Sequence, residues 1–244
     1  MDTIVFTEAK CREAKAVLGK IGSAMSVWGT EFSPSRSIGK CSYLYKVLQP
    51  TSYENFYEKY IKYAAEHPDE SIPNRGLTEK ELIELGWKYK RLSEENADYE
   101  QPLYTYVYDA ICHIIVETYD GMEKERDALR LAKQYDGDIQ PATYEYDSDY
   151  GMDMLSIKGG KIKYGIQIKP ITFFKSTRED VKKDRRLMCM KHDKALKELG
   201  IETFYMIYER TPAGITWKTH EDNKLLWRFK DVVDYKNGEV TVKI

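Results

Sequence analysis

The 244-residue sequence predicts an α/β (α+β) chain, with a mixed central sheet flanked by helices and a mainly helical region before it. Three observations carry that reading. Apolar residues recur at helical spacing through most of residues 1–118. From about residue 120 the order changes to helix, strand, hairpin, helix, strand. The hairpin is two apolar-alternating runs, Met152 to Ile157 and Ile162 to Lys169, joined at Gly159-Gly160. Glycine reaches φ > 0 without a steric penalty and suits such a turn. The chain is long enough for a full core, and it reads as a helical part, 1–118, followed by a sheet-bearing part, 119–244.

In order, Thr7 can cap a helix over residues 7–20, with Ala9, Ala16, Val17, Leu18 and Ile21 for packing. Residues 22–39 form a Gly-, Ser- and Pro-containing loop that holds Trp28, Phe32 and Arg36, with Lys40 just after it. Long loops with aromatics and cations are often functional, but a surface loop pinned by Trp28 and Phe32 fits the composition equally well. Helical spacing returns over 38–48 (Ile38, Tyr43, Leu44, Val47) and 53–66 (Phe56, Tyr57, Tyr60, Ile61, Ala64), with Ser52 as a cap and Pro68 past the end. Gly76 breaks the chain, and Thr78 with Glu81 forms a capping box for a helix to about Asn96. Residues 102–118 are apolar and aromatic and read as helix. So do residues 120–133, where Met122, Leu129 and Ala132 share a face and Glu125 falls between them. A carboxylate there is either at a helix end or directed at a site.

Ile139 to Tyr146 reads as a strand, and the hairpin follows. Pro170 lacks an N–H, so the ladder should stop there. Ser176 and Glu179 read as a second capping box, opening a helix to about Leu199 with Lys182, Lys183, Arg185, Arg186 and Lys191 on its polar face. Residues 202–209 read as a buried strand, and 215–217, 232–233 and 240–244 as short ones.

Composition removes several function classes. The net charge of −2 is not that of a polycation. Charge is segregated, however: residues 158–197 hold 13 Lys or Arg against 4 Asp or Glu. The four cysteines, Cys11, Cys41, Cys112 and Cys189, are scattered and form no CxxC. That argues against a zinc site or disulfide framework and for a reducing compartment, the cytoplasm. No apolar run is long enough to span a membrane, and the N-terminus has no signal-peptide shape. The twenty tyrosines favour packing over base stacking.

The chemistry is concentrated on the hairpin. Asp153 lies near the start of its first strand. Gln167 and Lys169, two residues apart on the second, share a face. A carboxylate and an amide oxygen are hard ligands suited to Mg²⁺. A lysine beside them can hold an attacking water or stabilise charge on a phosphorane. A solvated hairpin face would carry the same three residue types, and register decides between the two. A two-residue Gly159-Gly160 turn sets Asp153 opposite Ile166, on the wrong face for Gln167. An active site needs a three-residue loop or one bulge.

Met152-Asp153 followed by Gln167-Ile168-Lys169 resembles the core of the PD-(D/E)xK nucleases. A closer resemblance is to the MjaI-like family of type II restriction endonucleases, over roughly residues 30–217. It rests on Phe32-Ser-Pro-Ser-Arg-Ser-Ile-Gly-Lys-Cys-Ser-Tyr-Leu, Tyr57-Glu-Lys-Tyr with His67-Pro68, Thr118-Tyr-Asp-Gly-Met, Tyr150-Gly-Met-Asp with Gln167-Ile-Lys-Pro-Ile-Thr-Phe, and Ile207-Tyr-Glu-Arg, all in the family's order. The resemblance implies a restriction-endonuclease-like core and Mg²⁺-dependent, sequence-specific hydrolysis of double-stranded DNA leaving a 5′-phosphate. It implies a prokaryotic cytoplasmic enzyme, a homodimer, and a partner DNA methyltransferase. Asp153, Gln167 and the Ile168 carbonyl would hold the metal, Lys169 would position the water, and Glu125 would support the metal through water. Arg36, Lys40, Lys182, Lys183, Arg185 and Arg186 would contact DNA, with residues after 210 as a further reading element. Two departures stand out: Lys40 replaces an expected Gln, and Gln167 replaces an acid. Two alternatives remain beside this reading, a non-catalytic DNA-binding or regulatory protein on a decayed nuclease core and a structure-specific repair or recombination nuclease.

Overall fold

The computed structural model describes residues 4–20, 37–94, 101–211, 214–219, 224–236 and 239–242. The loop containing Trp28, Phe32 and Arg36 lies almost wholly outside these residues. The chain divides into two compact units, Met1–Glu123 and Lys124–Ile244.

The first unit is helical. Its elements are α1 (Glu8–Lys20), α2 (Cys41–Leu48), α3 (Tyr53–Glu66), α4 (Ile72–Arg75), α5 (Glu79–Glu94) and α6 (Leu103–Ile111); a π-helical turn over Cys112–Glu117 leads into α7 (Thr118–Tyr135). Two caps form as the sequence predicts. The Lys10 N–H donates to Thr7 Oγ1 at 3.4 Å, and the Asn55 N–H donates to Ser52 Oγ at 3.1 Å. The Thr78–Glu81 box also closes: the Thr78 N–H donates to Glu81 Oε2 at 2.9 Å and the Glu81 N–H to Thr78 Oγ1 at 3.3 Å. The Arg75 guanidinium grips the same carboxylate with both terminal nitrogens at 2.8 Å and holds the Glu81 carboxyl down at about 2.

The core of this unit is Leu44, Phe56, Tyr60, Leu82, Ile111, Ile114 and Ile115, all buried. Burying Tyr60 requires partners for its hydroxyl, which donates to the Ile38 carbonyl at 2.7 Å and accepts the Leu77 N–H at 2.9 Å. Gly76, at φ +82, lies against that ring; a Cβ there would meet Tyr60 Cε2 at 2.5 Å. The π-helical turn within the predicted 102–118 helix has no counterpart in the apolar spacing.

The second unit is built on a mixed sheet. Its strands are β1 (Ile139–Pro141), β2 (Met154–Lys158), β3 (Lys161–Pro170), β4 (Glu202–Thr211) and β5 (Gly214–Trp217), in that spatial order, with β6 (Leu226–Trp227) also pairing with β4. β2 and β3 are antiparallel, and β3 and β4 are parallel. Parallel neighbours need a crossover, and α9 (Ile171–Lys175) with α10 (Glu179–Leu199) supplies it. One face of the sheet packs Met154, Ile166, Ile168 and Met206 with Ala128 and Ala132 of α7. The other packs Met152 and Leu155 with Ala195 of α10, and Tyr205 and Ile207 with Phe174 of α9. A helical turn, α11 (Phe229–Val232), leads into a separate hairpin of β7 (Val233–Lys236) and β8 (Glu239–Val242).

Two local expectations change. The predicted 139–146 strand stops at Pro141, and α8 (Tyr144–Tyr150) follows. The alternation of Tyr144 and Tyr146 suggests a strand. Glu145 and Asp147 in a first turn instead favour a helix N-terminus, and Gly151 in the left-handed region closes the helix. At α10 the N-cap is Arg178, not Ser176. Ser176 therefore stands two residues too early to form a box. It accepts the Arg178 N–H at 3.3 Å, while Glu179 pairs with Lys182.

Candidate active site

The hairpin turn is a two-residue one, with Gly159 at φ +58 and Gly160 at φ +73. That alone would put Asp153 on the wrong face. The ladder opens with Lys158 opposite Lys161 and Ile157 opposite Ile162, but Ser156 then pairs with Tyr164. Lys163 is the extra residue of a β-bulge. From there the register runs Leu155 to Gly165 and Met154 to Ile166, and the Asp153 N–H donates to the Ile166 carbonyl at 2.8 Å. The bulge turns Asp153 onto the face of Gln167 and Lys169.

The result is a contact. Asp153 Oδ2 accepts from Gln167 Nε2 at 2.5 Å and from the Ile168 backbone N–H at 2.6 Å. Within a strand the N–H and C=O of one residue point to the same edge, so the Ile168 carbonyl faces past the end of β2 on the Asp153 side. Gln167 is buried, and its Oε1 has no hydrogen-bond partner. Lys169 is half-buried, with Nζ 5.4 Å from the centre of the Phe173 ring. The available donors are therefore hard oxygens: one carboxylate, one backbone carbonyl and an amide whose oxygen is unsatisfied. Among the described residues no group of three His, Cys, Asp or Glu could hold a metal, so water and phosphate oxygens would have to complete a cation's shell.

Gly151 holds this segment in place. It stands at φ +66, and a Cβ would meet Met188 Sδ at 2.4 Å, Gln167 Oε1 at 3.3 Å and His192 Nε2 at 3.5 Å. His192 reaches it from α10. A carbonyl can only accept, so His192 Nε2–H donates to the Gly151 oxygen at 3.2 Å, and Nδ1 accepts from the Tyr205 hydroxyl at 3.1 Å. Burial, and then the nearby Lys169 charge, push the imidazole down to about 4; the Gly151 contact opposes this. The ring is neutral at neutral pH. Neither His192 nor Tyr205 is evident from the hairpin motif. The signal for His192 is the spacing of Val181, Arg185, Met188, His192 and Ala195, a stripe at intervals of three and four that marks the inward face of α10.

The same stripe corrects one predicted DNA contact. Arg185 is buried, and it donates to the carbonyls of Phe173 at 2.8 Å, Phe174 at 2.5 Å and Ser176 at 2.9 Å. It closes the C-terminal end of α9, the short helix that carries Phe173 against Lys169, and is not available to a phosphate. Lys191 donates to the Ser148 carbonyl at 2.5 Å. Lys183 and Arg186 are exposed, and Lys182 pairs with Glu179. Lys40 is half-buried at the N-terminal end of α2, and Arg36 lies outside the described residues. Glu125 is half-buried on α7, one turn before Ala128, which packs beneath the sheet face opposite Gln167.

Among the described residues no helix is long and apolar enough to cross a membrane. Comparison with curated proteins and with solved structures gave no match. A family model did match, over residues 21–216, a span that takes in the helical unit after α1, the bulged hairpin, α10 and β4. This chain belongs to the MjaI restriction endonuclease family.

Proposed function

We propose that the protein is a type II restriction endonuclease that hydrolyses phosphodiester bonds in double-stranded DNA with Mg²⁺, on a PD-(D/E)xK core. The observation that carries this is the bulge at Lys163. It costs the hairpin a ladder position and brings Asp153 into contact with Gln167 and Ile168, on the sheet face that Lys169 shares, where a regular hairpin would keep them apart. Asp153 and the Ile168 carbonyl would hold the cation. Gln167 orients the Asp153 carboxylate through Nε2 and could lend Oε1 if its amide turned over, since the two ends of an amide are nearly isosteric. Glu125 would add support through water. When bound, Mg²⁺ supplies stabilisation of the charge that develops on the phosphate. Lys169, steadied on Phe173, would hold the attacking water and donate a proton-bearing contact to the reacting oxygens. A palindromic duplex site favours a C₂ homodimer, and a methyltransferase of matching specificity would protect the host DNA.

A plasmid digest with and without Mg²⁺ tests the reading. Discrete bands that need Mg²⁺ are expected. Binding without cutting would instead support a non-catalytic protein, and cutting confined to branched substrates a repair nuclease.

The exposed cations of α10 give a second expectation. If Lys183 and Arg186 contact phosphates, replacing both with Ala should flatten the slope of log affinity against log salt by about two units. An unchanged slope in a salt titration returns this helix face to solvent.

A further inference from the structure

We infer that His192 is a positioning residue, whose imidazole, bridged between the Tyr205 hydroxyl and the Gly151 carbonyl, sets the place of the Asp153 carboxylate. The inference rests on the proposed role of Asp153 as the metal-holding carboxylate. Only one tautomer satisfies both contacts, because the carbonyl must accept and the hydroxyl must then donate. The anchor at each end is rigid. Tyr205 is fully buried on β4, directly beside Gln167 in the parallel ladder. Gly151 is fixed by its own N–H on the Asp147 carbonyl and by the Met152 N–H on the Tyr146 carbonyl. Asp153 is the second residue after Gly151. The chain between them has no slack: the Asp153 N–H is already on Ile166, and its carbonyl already accepts the Ala142 N–H. Only Met152 separates the Gly151 carbonyl from Asp153, so a displacement of that carbonyl strains the contacts that place the Asp153 side chain. Removing a group bonded directly to a metal ligand typically changes metal affinity or activity by about 10–100-fold, and His192, one step further out, should act at the low end of that range.

The test uses the full-length protein with three substitutions, His192→Leu, His192→Gln and Tyr205→Phe, beside Asp153→Ala. Gln can donate and accept as the imidazole does. In plasmid cleavage, His192→Leu should raise the half-saturating Mg²⁺ by about 10-fold while the rate at saturating Mg²⁺ stays within about 3-fold, and His192→Gln should stay near the wild type. A purely packing role would not move Mg²⁺ dependence, and Leu would satisfy it better than Gln. Calorimetry with Mn²⁺ in place of Mg²⁺, on the protein bound to a duplex whose phosphates resist hydrolysis, gives a readout independent of turnover: occupancy should fall in His192→Leu and recover in His192→Gln. Tyr205→Phe, which keeps the ring and removes only the donor, should shift both measurements in the same direction and carries the test if His192→Leu fails to fold. If Asp153→Ala binds Mn²⁺ as the wild type does, the metal reading itself fails. If Asp153→Ala loses Mn²⁺ while His192→Leu and Tyr205→Phe keep wild-type behaviour, the positioning role alone is overturned.

Discussion

Asp153→Ala and Lys169→Ala are each expected to lower plasmid cleavage by about 10³-fold or more, because one removes the charge that would hold the cation and the other the donor to the water. The two losses should differ in their side effects. Asp153 Oδ2 is the acceptor for Gln167 Nε2 and the Ile168 N–H. Truncation leaves buried donors without a partner, at about 1–3 kcal/mol each. Asp153→Ala should therefore also melt at a lower temperature. Asp153→Asn, which keeps an acceptor oxygen and the shape, should melt near the wild type and still fail to cut. Lys169 is half-buried, with its ammonium over Phe173, so Lys169→Ala should cost little stability. Gel shifts on all three should stay close to the wild type, since Lys183 and Arg186 stand on α10, away from the hairpin that carries Asp153 and Lys169. Wild-type cutting by a folded Asp153→Asn or Lys169→Ala protein in a magnesium digest would remove the site assignment.

The hairpin was legible because Gly159-Gly160 and the flanking alternation are local. The bulge was not. Ile162, Tyr164, Ile166 and Ile168 alternate in the same way whether or not Lys163 is paired, and only a contact between Asp153 and Gln167 requires the irregularity. The inward face of α10 was partly legible. Its three-and-four stripe is regular, but it includes Arg185 and His192, and a charged residue type suggests solvent before spacing is considered. What makes Arg185 an inward residue is a set of carbonyls at the end of α9. What makes His192 one is a hydroxyl on β4 and a carbonyl before β2. These partners are distant in sequence, and no periodicity reports them. At 139–146 the legible signal is the acidic first turn, Glu145 and Asp147, with Gly151 at its close, which marks a helix where the residues also read as a strand.

Gln167→Glu should separate the two roles open to that side chain. Gln167 is 3% exposed, with Nε2 at 2.5 Å from Asp153 Oδ2. A glutamate there places a second carboxylate against the first in a buried position. Without a divalent ion, repulsion and burial both raise the pKa of the new acid above its unfolded value. The sign follows. Below the unfolded pKa the protonated acid can donate to Asp153 as the amide does, and stability should approach the wild type. As pH rises through the raised folded pKa, that stability is lost, on the order of 3 kcal/mol at neutral pH. Mg²⁺ should reverse the loss, because two carboxylates facing one hard cation bind it far better than a carboxylate and an amide, and a ligand that binds only the folded state stabilises it. Melting curves of both proteins at acid and neutral pH, with and without Mg²⁺, read this out. The variant should be the less stable protein at neutral pH, close most of the gap when Mg²⁺ is added, and show a larger Mg²⁺ response than the wild type. If it is destabilised at neutral pH and Mg²⁺ does not restore it, Gln167 faces Asp153 only as an orienting donor, and the cation is held without its side chain.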